Sequence, residues 1–383
     1  MAVYKIFPLQ DSTLYSRYPS MNTGIDAILE ISNLNPSTVS TPVVARSLIQ
    51  FDQTEINSVI DTLNTGSTAI SSSLKAFISN AEGIVMQSDL YAYPVSGSWN
   101  NGSGEFLDNP QTTNGVSWEF RSNLDSNPWT TESFSENVTG SFIAASPGGG
   151  TWYTASSDPN LTLEVSQSFN LRTKKDINLN VTDIVKTWYS SSKSIAGTYT
   201  NIENNGFLLK WSDSLEFDSN LAIQPNMQFY SVDTNTIYPP QLEIKWRDFT
   251  YETGSLSVIN TPDLFVAIDN NQGIFYNESI NKFRLNIRPE FPVRTFQTSS
   301  LYTTNYALPS SSYYAIKDLD TNEFIIDFDT EFTQISCDES GSYFIVYMNG
   351  LEPERYYEIL IQTTVNGNTI VKDDQYYFKV VNG

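Results

Sequence analysis

Apolar and polar residues alternate over short stretches along most of the chain, which is the pattern of β-strands with one buried face. Residues 43–51 are predicted to form a strand. Two short helices are predicted between strands. One follows Asp52, where Asp52 to Glu55 resembles a capping box, and the other follows Val181, where Thr182 or Asp183 can cap its first turn. The remaining strands of this part are predicted at residues 3–9, 27–31, 72–79, 83–95, 176–181, 206–211, 227–231 and 242–246.

A second β pattern begins after Asp248. Its strands are predicted at residues 255–268, 282–288, 296–303, 324–328, 342–348, 356–361 and 376–381. Leu351 to Ile359 resembles the turn that leads into a late strand of fibronectin-type sandwiches. We therefore predict an all-β protein: an N-terminal jelly-roll β-sandwich (residues 1–249), followed by one or two small C-terminal β-sandwiches. The second part is divided into a β-rich stretch (250–310) and a small immunoglobulin- or fibronectin-III-like sandwich (311–383).

Residues 96–150 form a long region rich in Asn, Gly, Ser and Trp between predicted strands. Loops of this length are usually functional or held by a partner. Four tryptophans in this region or directly after it are candidates for an interaction surface: Trp99, Trp118, Trp129 and Trp152. If exposed, the indoles could stack on sugar rings. If buried, they pin the loop to the sandwich, and we favour this alternative because a long loop needs buried anchors to stay ordered.

The composition narrows the classes of partner. The chain has 383 residues, of which 43 are acidic and 21 basic, for a net charge of −22. Phosphate backbones would be repelled, so we expect no nucleic-acid partner. No stretch approaches the roughly 20 apolar residues of a membrane helix, and the N-terminus lacks a signal-peptide pattern. With a single cysteine, no intrachain disulfide can form, and we expect folding in a reducing cytosol.

Few residues suggest catalysis. The sequence contains no histidine, which excludes a Ser-His-Asp triad and a histidine-zinc site, and leaves Cys337 without a histidine to activate it. Acidic residues near the long loop could in principle pair, but we interpret them as solvated: Asp89, Glu105, Asp108 and Glu119. Asp318 to Glu323 resembles the start of a calcium loop, but a hairpin turn explains it better. We predict no catalytic residue, no metal and no cofactor.

Several short segments resemble the patterns of known families, and they occur in the same order along the chain. Those of the first part are Asp11–Tyr15, Asn22–Gly24, Ile28–Ile31, Arg46–Asp52, Trp99, Val181–Trp188, Asn205–Lys210, Phe229–Ser231 and Pro240–Ile244. In these the chain resembles DNRLRE-type jelly rolls, which are similar to the TGF-β propeptide fold and to some carbohydrate-binding modules. A further set consists of Met1–Pro8, Asn109–Trp118, Pro147–Tyr153 and Thr234–Pro240. In these the chain resembles virion structural proteins of tailed bacteriophages, notably marine and cyanobacterial myophages.

The second resemblance implies a non-enzymatic protein that is made in the host cytoplasm and assembled into a virion. Its partners would be other virion proteins and copies of itself, with no membrane partner. The tail, the neck, the baseplate and the capsid surface all remain open as its location. The alternative is a carbohydrate-binding or adhesion module that recognises a glycan on the host surface.

Overall fold

A computed structural model describes residues 2–34, 43–62, 70–129, 138–141, 148–154, 162–193, 202–216, 224–292 and 304–383. Strands β1 to β16 span Ala2–Ile6, Pro8–Tyr15, Ile28–Leu34, Val43–Phe51, Ile70–Ala76, Ile78–Glu82, Ser88–Pro94, Phe120–Ser122, Asn127–Pro128, Val138–Ser141, Gly148–Tyr153, Val165–Phe169, Ile177–Asn180, Phe207–Trp211, Asn226–Tyr230 and Gln241–Trp246. Strands β17 to β25 span Leu264–Ile268, Ile274–Tyr276, Ile280–Pro289, Ser312–Asp318, Phe324–Ile326, Ser336–Asp338, Gly341–Tyr347, Tyr356–Val365 and Asn368–Val381.

Helices are short and few among these residues. Helix α1 spans Gln53–Thr62, α2 spans Thr182–Ser192 and α3 spans Asp213–Glu216, and a 3-10 turn covers Met348–Gly350. The protein is therefore all-β, as the alternating pattern predicts. Within the described ranges, no helix combines the length and the apolar character needed to cross a membrane.

The chain divides into two compact units. The N-terminal unit comprises residues 6–64 and 71–243, and the C-terminal unit comprises residues 1–5, 65–70 and 244–383. The change from the first unit to the second after residue 243 lies close to the boundary predicted after residue 249.

The N-terminal unit is organised around a large sheet. Its strand order is β12-β7-β14-β4-β3-β15-β6, and β2 pairs with β4 as well. Every residue of central strand β14 is buried. This burial is expected of a strand that is covered on both faces. The predicted strand over residues 43–51 is confirmed as β4.

Both predicted helices are present, but one cap differs. In α1 the Asp52 carboxylate accepts a hydrogen bond from the Thr54 N–H at 2.8 Å, and Ile56, Val59 and Ile60 are buried. Helix α2 begins after Val181, which offers no side-chain cap, and the N–H of Thr182 donates instead to the Asn180 Oδ1 at 3.1 Å. The expectation of a Thr182 or Asp183 cap is therefore wrong.

The hydroxyl of Thr182 instead accepts a hydrogen bond from the Ser72 N–H at 2.9 Å. Its oxygen is thus used to hold the helix start against β5.

The C-terminal unit is a β-sandwich with one core. Its sheets have the orders β17-β19-β23-β22 and β18-β25-β24-β20-β21. Side chains from both predicted stretches, such as Leu285 before residue 310 and Tyr314 after it, share one buried cluster. The chain therefore does not divide at residue 310. Within the described residues, the two stretches contribute strands to the same core.

Two predicted strands and one predicted turn belong to this part of the chain. The strand predicted over residues 255–268 is confined to Leu264–Ile268, since Pro262 has no N–H for a sheet ladder. The strand predicted over residues 296–303 lies outside the described residues. In the turn after Leu351, the Tyr357 hydroxyl donates to the Glu352 carbonyl at 2.9 Å, the geometry of a tyrosine corner.

Candidate functional site

The long polar region contains a well-defined loop, residues 97–129, which we call the anchored loop. Its backbone is tied to the buried side chain of Asn22. The Asn22 Nδ2 donates to the carbonyl oxygens of Asn101 at 2.6 Å and Val116 at 2.8 Å. Its Oδ1 accepts from the Gly104 N–H at 2.8 Å. A single amide therefore ties Asn101 and Gly104 to Val116, further along the loop.

Close backbone approach around this amide explains one glycine of the loop. Gly102 has a φ of +81°, and a Cβ there would lie 2.7 Å from the Cα of Gly115. Only glycine adopts this conformation and fits the space without strain.

The four tryptophans, three of which belong to the anchored loop, are packed together in the core. Trp99, Trp118, Trp129 and Trp152 are each at most 7% exposed and belong to one hydrophobic cluster. The indole N–H of Trp99 donates to the Asn205 carbonyl at 2.8 Å, and that of Trp129 donates to the Ser117 carbonyl at 3.0 Å.

These indoles therefore do not form the exposed interaction surface for which they are candidates. Their rings are removed from water while two of their N–H groups keep partners, which is the favourable way to bury tryptophan. The alternative, that they pin the loop to the sandwich, agrees with this packing.

A buried ion cluster lies against the same indoles. The Arg46 guanidinium makes two hydrogen bonds to the Glu216 carboxylate, at 2.7 and 2.8 Å, and both side chains are fully buried. The Lys210 Nζ lies 3.2 Å from Oε2 of Glu216, which also accepts from the Arg46 Nη2, and it pairs with Asp213 as well. The Arg46 Cζ lies 4.9 Å from the ring centroid of Trp118.

The ion cluster also fixes the glycine run at the start of β11. The Nη1 of Arg46 donates to the Gly149 carbonyl at 2.7 Å. Gly149 has a φ of +77°, and a Cβ there would lie 2.6 Å from Trp118. Sequence reasoning treats this run only as a break and misses the ion cluster. The available signal is the presence of Arg46 and Lys210 inside apolar strands, since a buried cation requires a buried partner.

The anchored loop presents apolar side chains at one of its turns. Leu107 is 55% exposed and has a φ of +58°, a conformation that is uncommon for a bulky residue. The neighbouring Phe106 is also exposed, and its ring centroid lies 4.9 Å from that of Tyr15. We call Phe106 and Leu107 the loop tip. A strained backbone that holds apolar groups in solvent is typical of a contact surface.

The acidic residues near the long loop make separate contacts. Asp89 accepts a hydrogen bond from the Ser168 hydroxyl at 2.5 Å. Asp108 accepts one from the Glu105 N–H at 2.8 Å, and Glu119 is exposed. Asp108 thus shapes a turn and Glu119 is solvated, whereas Asp89 links strand β7 to β12.

The stretch from Asp318 to Glu323 joins β20 to β21 as a hairpin turn, as predicted. The Asp318 carboxylate pairs with Arg355 through two hydrogen bonds, at 2.5 and 2.8 Å. Asp318 also accepts from the Asp320 N–H at 2.7 Å. Across the part of the chain that the structure describes, no group of three or more Asp, Glu, Cys or His could hold a metal ion.

Replacing Asn22 with alanine is expected to destabilise the N-terminal unit by about 2–3 kcal/mol, because buried carbonyls and one N–H of the anchored loop lose their partner. Hydrogen exchange should accelerate within residues 97–129 before other parts of the unit. Asn100→Ala, at an exposed position of the same loop, is the control and should change little. Unaltered exchange in Asn22→Ala would show that the loop does not depend on this amide.

No family model matches the chain, and no curated protein matches it. Solved structures resemble it only weakly. A β-glucuronidase from Parabacteroides merdae, with glycerol in its active site, is 7% identical over 82% of this chain and 28% of that chain, with a TM-score of 0.18. A second structure of this enzyme is 6% identical over 96% and 36%, with a TM-score of 0.17. A DUF4785 family protein from Legionella pneumophila is 10% identical over 99% of this chain and 62% of that chain, with a TM-score of 0.16. The chain thus spans less than two thirds of each of these proteins, and at such TM-scores the likeness carries no argument about function.

Proposed function

We propose that this protein is a non-enzymatic structural component of a tailed-phage virion that acts by docking in multiple copies. The observation that supports it most is the anchored loop, in which a buried amide and buried indoles hold an exposed apolar tip. The resemblance to virion structural proteins supports the same function. Its partners would be other virion proteins and copies of itself, and it would be assembled in the host cytoplasm.

The physical advantage of this arrangement is preorganisation. Ordering a loop on binding costs conformational entropy, and a loop that is already fixed avoids most of that cost. Asn22 and the tryptophan cluster fix the backbone on either side of Phe106 and Leu107. The tip can then enter an apolar pocket on a partner with little rearrangement.

The charged groups of the chain support a structural role. Arg46 with Glu216, Arg284 with Asp338 and Arg355 with Asp318 are joined by short charge-assisted hydrogen bonds. Pairs of this kind fix strands and turns in place. These side chains therefore stabilise the fold and are paired with each other.

Purified virions in which this protein is expected to occur test the proposal. Mass spectrometry should find the chain in stoichiometric, repeated copies, and a particle reconstruction should contain its two units. Phe106→Ala/Leu107→Ala is expected to reduce incorporation several-fold without altering the circular dichroism of the free protein. Leu171→Ala, another exposed leucine of the same unit, is the matched control. A particle map without this chain in repeated positions would contradict the proposal.

A further inference from the structure

The five-stranded sheet of the C-terminal unit carries exposed aromatic side chains on its outer face. Tyr276 is 62% exposed, Tyr356 is 52%, Tyr377 is 40% and Ile274 is 60%. They lie on β18, β24 and β25, which are neighbours in this sheet. We call these four residues the tyrosine face.

Strand register shows that the four side chains share one side of the sheet. Lys379 of β25 is paired with Ile274 on one flank and Tyr356 on the other, and directly paired residues point to the same face. Tyr377 and Tyr276 lie two residues from Lys379 and Ile274 on their strands, so the period of two places them on that face too.

The opposite face of the same strands forms the core. Phe275, Tyr357 and Phe378 alternate with the exposed residues and are buried. The exposed tyrosines are therefore not misplaced core residues, because the core side of each strand is already filled. An apolar patch of this kind on a folded protein marks a contact site.

Some of the charges on this face are paired within the chain. Lys379 forms an ion pair with Glu354, and the Lys317 Nζ lies 3.8 Å from the Glu358 carboxylate on neighbouring strands. The chain as a whole has a net charge of −22. The Glu358 carboxylate also lies against that of Asp373 on β25. The tyrosine face is thus acidic, which disfavours an acidic ligand, and its carboxylates can accept hydrogen bonds from hydroxyl groups.

The size of the face argues against a second copy of the chain as its main occupant. The three strands that carry it lie about 4.8 Å apart, and about 17 Å of strand length gives a face of roughly 250 Å². A stable dimer buries about 800 Å² on each partner. The face is therefore small for a self-sufficient protein interface, whereas a few sugar rings fit within it.

Polar groups adjoin the face. A cavity of about 560 Å³ opens beside Tyr276 and is lined by Tyr276, Asn277, Glu278, Ser279, Asn382 and Gly383. Amide and hydroxyl groups both donate and accept hydrogen bonds, as the hydroxyls of a sugar require. Tyrosine adds a ring for the apolar face of a sugar and a hydroxyl for its polar edge.

We propose that the tyrosine face and the adjoining cavity bind a neutral glycan chain, whose sugar rings stack on Tyr276, Tyr356 and Tyr377. This activity is separate from docking through the loop tip, which lies in the other unit. Either can fail without the other.

Affinity electrophoresis in native gels tests the proposal, since the acidic protein migrates well. The gels contain hydroxyethyl cellulose, a galactomannan or dextran as neutral polysaccharide probes. Wild-type protein should be retarded by at least one probe. Tyr276→Ala or Tyr356→Ala should each weaken binding about tenfold, equivalent to 1.4 kcal/mol.

Phe265→Ala is the matched control, because Phe265 is an exposed aromatic residue on β17 in the other sheet of the same unit. It should leave the retardation unchanged. Absence of retardation by all three probes together with a silent array of neutral glycans would overturn the proposal. Equal weakening by Phe265→Ala would also overturn it. Sedimentation velocity supplies a further outcome: a concentration-dependent dimer that Tyr356→Ala abolishes would assign the face to a second copy instead.

Discussion

Replacing Glu216 with glutamine is expected to destabilise the N-terminal unit by about 3–5 kcal/mol, because it leaves two buried cations without their shared anion. The Arg46 guanidinium donates two hydrogen bonds to this carboxylate, and Lys210 lies 3.2 Å from it. Arg46, Lys210 and Glu216 are all buried. Glutamine keeps the volume and one acceptor but removes the charge, so the loss measures electrostatics more than packing.

Tryptophan fluorescence during urea unfolding is the measurement. Of the seven tryptophans, all but Trp246 lie in the N-terminal unit, so the signal reports mainly on the unit that is changed. The two units can unfold in separate transitions, and each is then fitted on its own.

Two variants serve as controls. Asp213→Asn removes a carboxylate that is 77% exposed and should cost less than about 1 kcal/mol. The triple variant Arg46→Met/Lys210→Met/Glu216→Leu removes all three buried charges of the ion cluster together and should be more stable than Glu216→Gln. If Glu216→Gln unfolds at the wild-type urea concentration, the buried charges do not depend on one another as inferred.

The strands and their approximate limits could be predicted from the sequence because they depend on local periodicity. Residues 43–51 and 206–211 are apolar runs bounded by polar residues, and they become β4 and β14. Helix α1 likewise follows from the spacing of Ile56, Val59 and Ile60. Each of these signals is contained within about ten neighbouring residues.

The candidate site depends on contacts between distant residues, which single-sequence patterns do not encode. Arg46 and Glu216 are separated by 170 positions, and Glu216 lies at the end of a short helix that no periodicity predicts. Asn22 is recognisable as a turn residue, but its bonds to Asn101 and Val116 cross more than 70 positions. The burial of the tryptophans is similarly a property of the folded sheet.

The tyrosine face illustrates the same limit for strands. Alternation around residues 356–361 and 376–381 predicts two strands, and both exist within β24 and β25. Alternation alone does not say which of the two faces is covered. Register supplies this information, since the pairing of Tyr356 with Lys379 places Tyr357 and Phe378 on the core side.

Replacing Asp11 with asparagine is expected to remove a large part of the pH dependence of stability. Asp11 is 1% exposed, and burial raises its pKa from 3.8 to about 8, assisted by the charges of Asp233 and Asp26 and opposed by the hydrogen bond from the Val232 N–H. Asparagine is nearly isosteric and can still accept that hydrogen bond, which is 2.7 Å long in the wild type. It cannot ionise.

The sign follows from proton binding. The unfolded chain loses the Asp11 proton near pH 3.8, whereas the folded protein keeps it until about pH 8. Between these values the folded state binds one more proton than the unfolded state, so stability decreases as pH rises through this window. One proton corresponds to about 1.4 kcal/mol per pH unit. Above about pH 8 both states are ionised and this contribution to the slope ends.

Urea unfolding of the wild type and of Asp11→Asn at several pH values between 4 and 9 measures the effect. The two proteins should be of similar stability near pH 4, and the variant should become progressively more stable than the wild type, by several kcal/mol, as pH rises to 8. Asp233→Asn, at an exposed neighbouring position, should reproduce only a small part of the change. A constant difference between Asp11→Asn and the wild type at every pH would mean that Asp11 is ionised in the folded protein throughout, and that the ion is stabilised by its surroundings despite its burial.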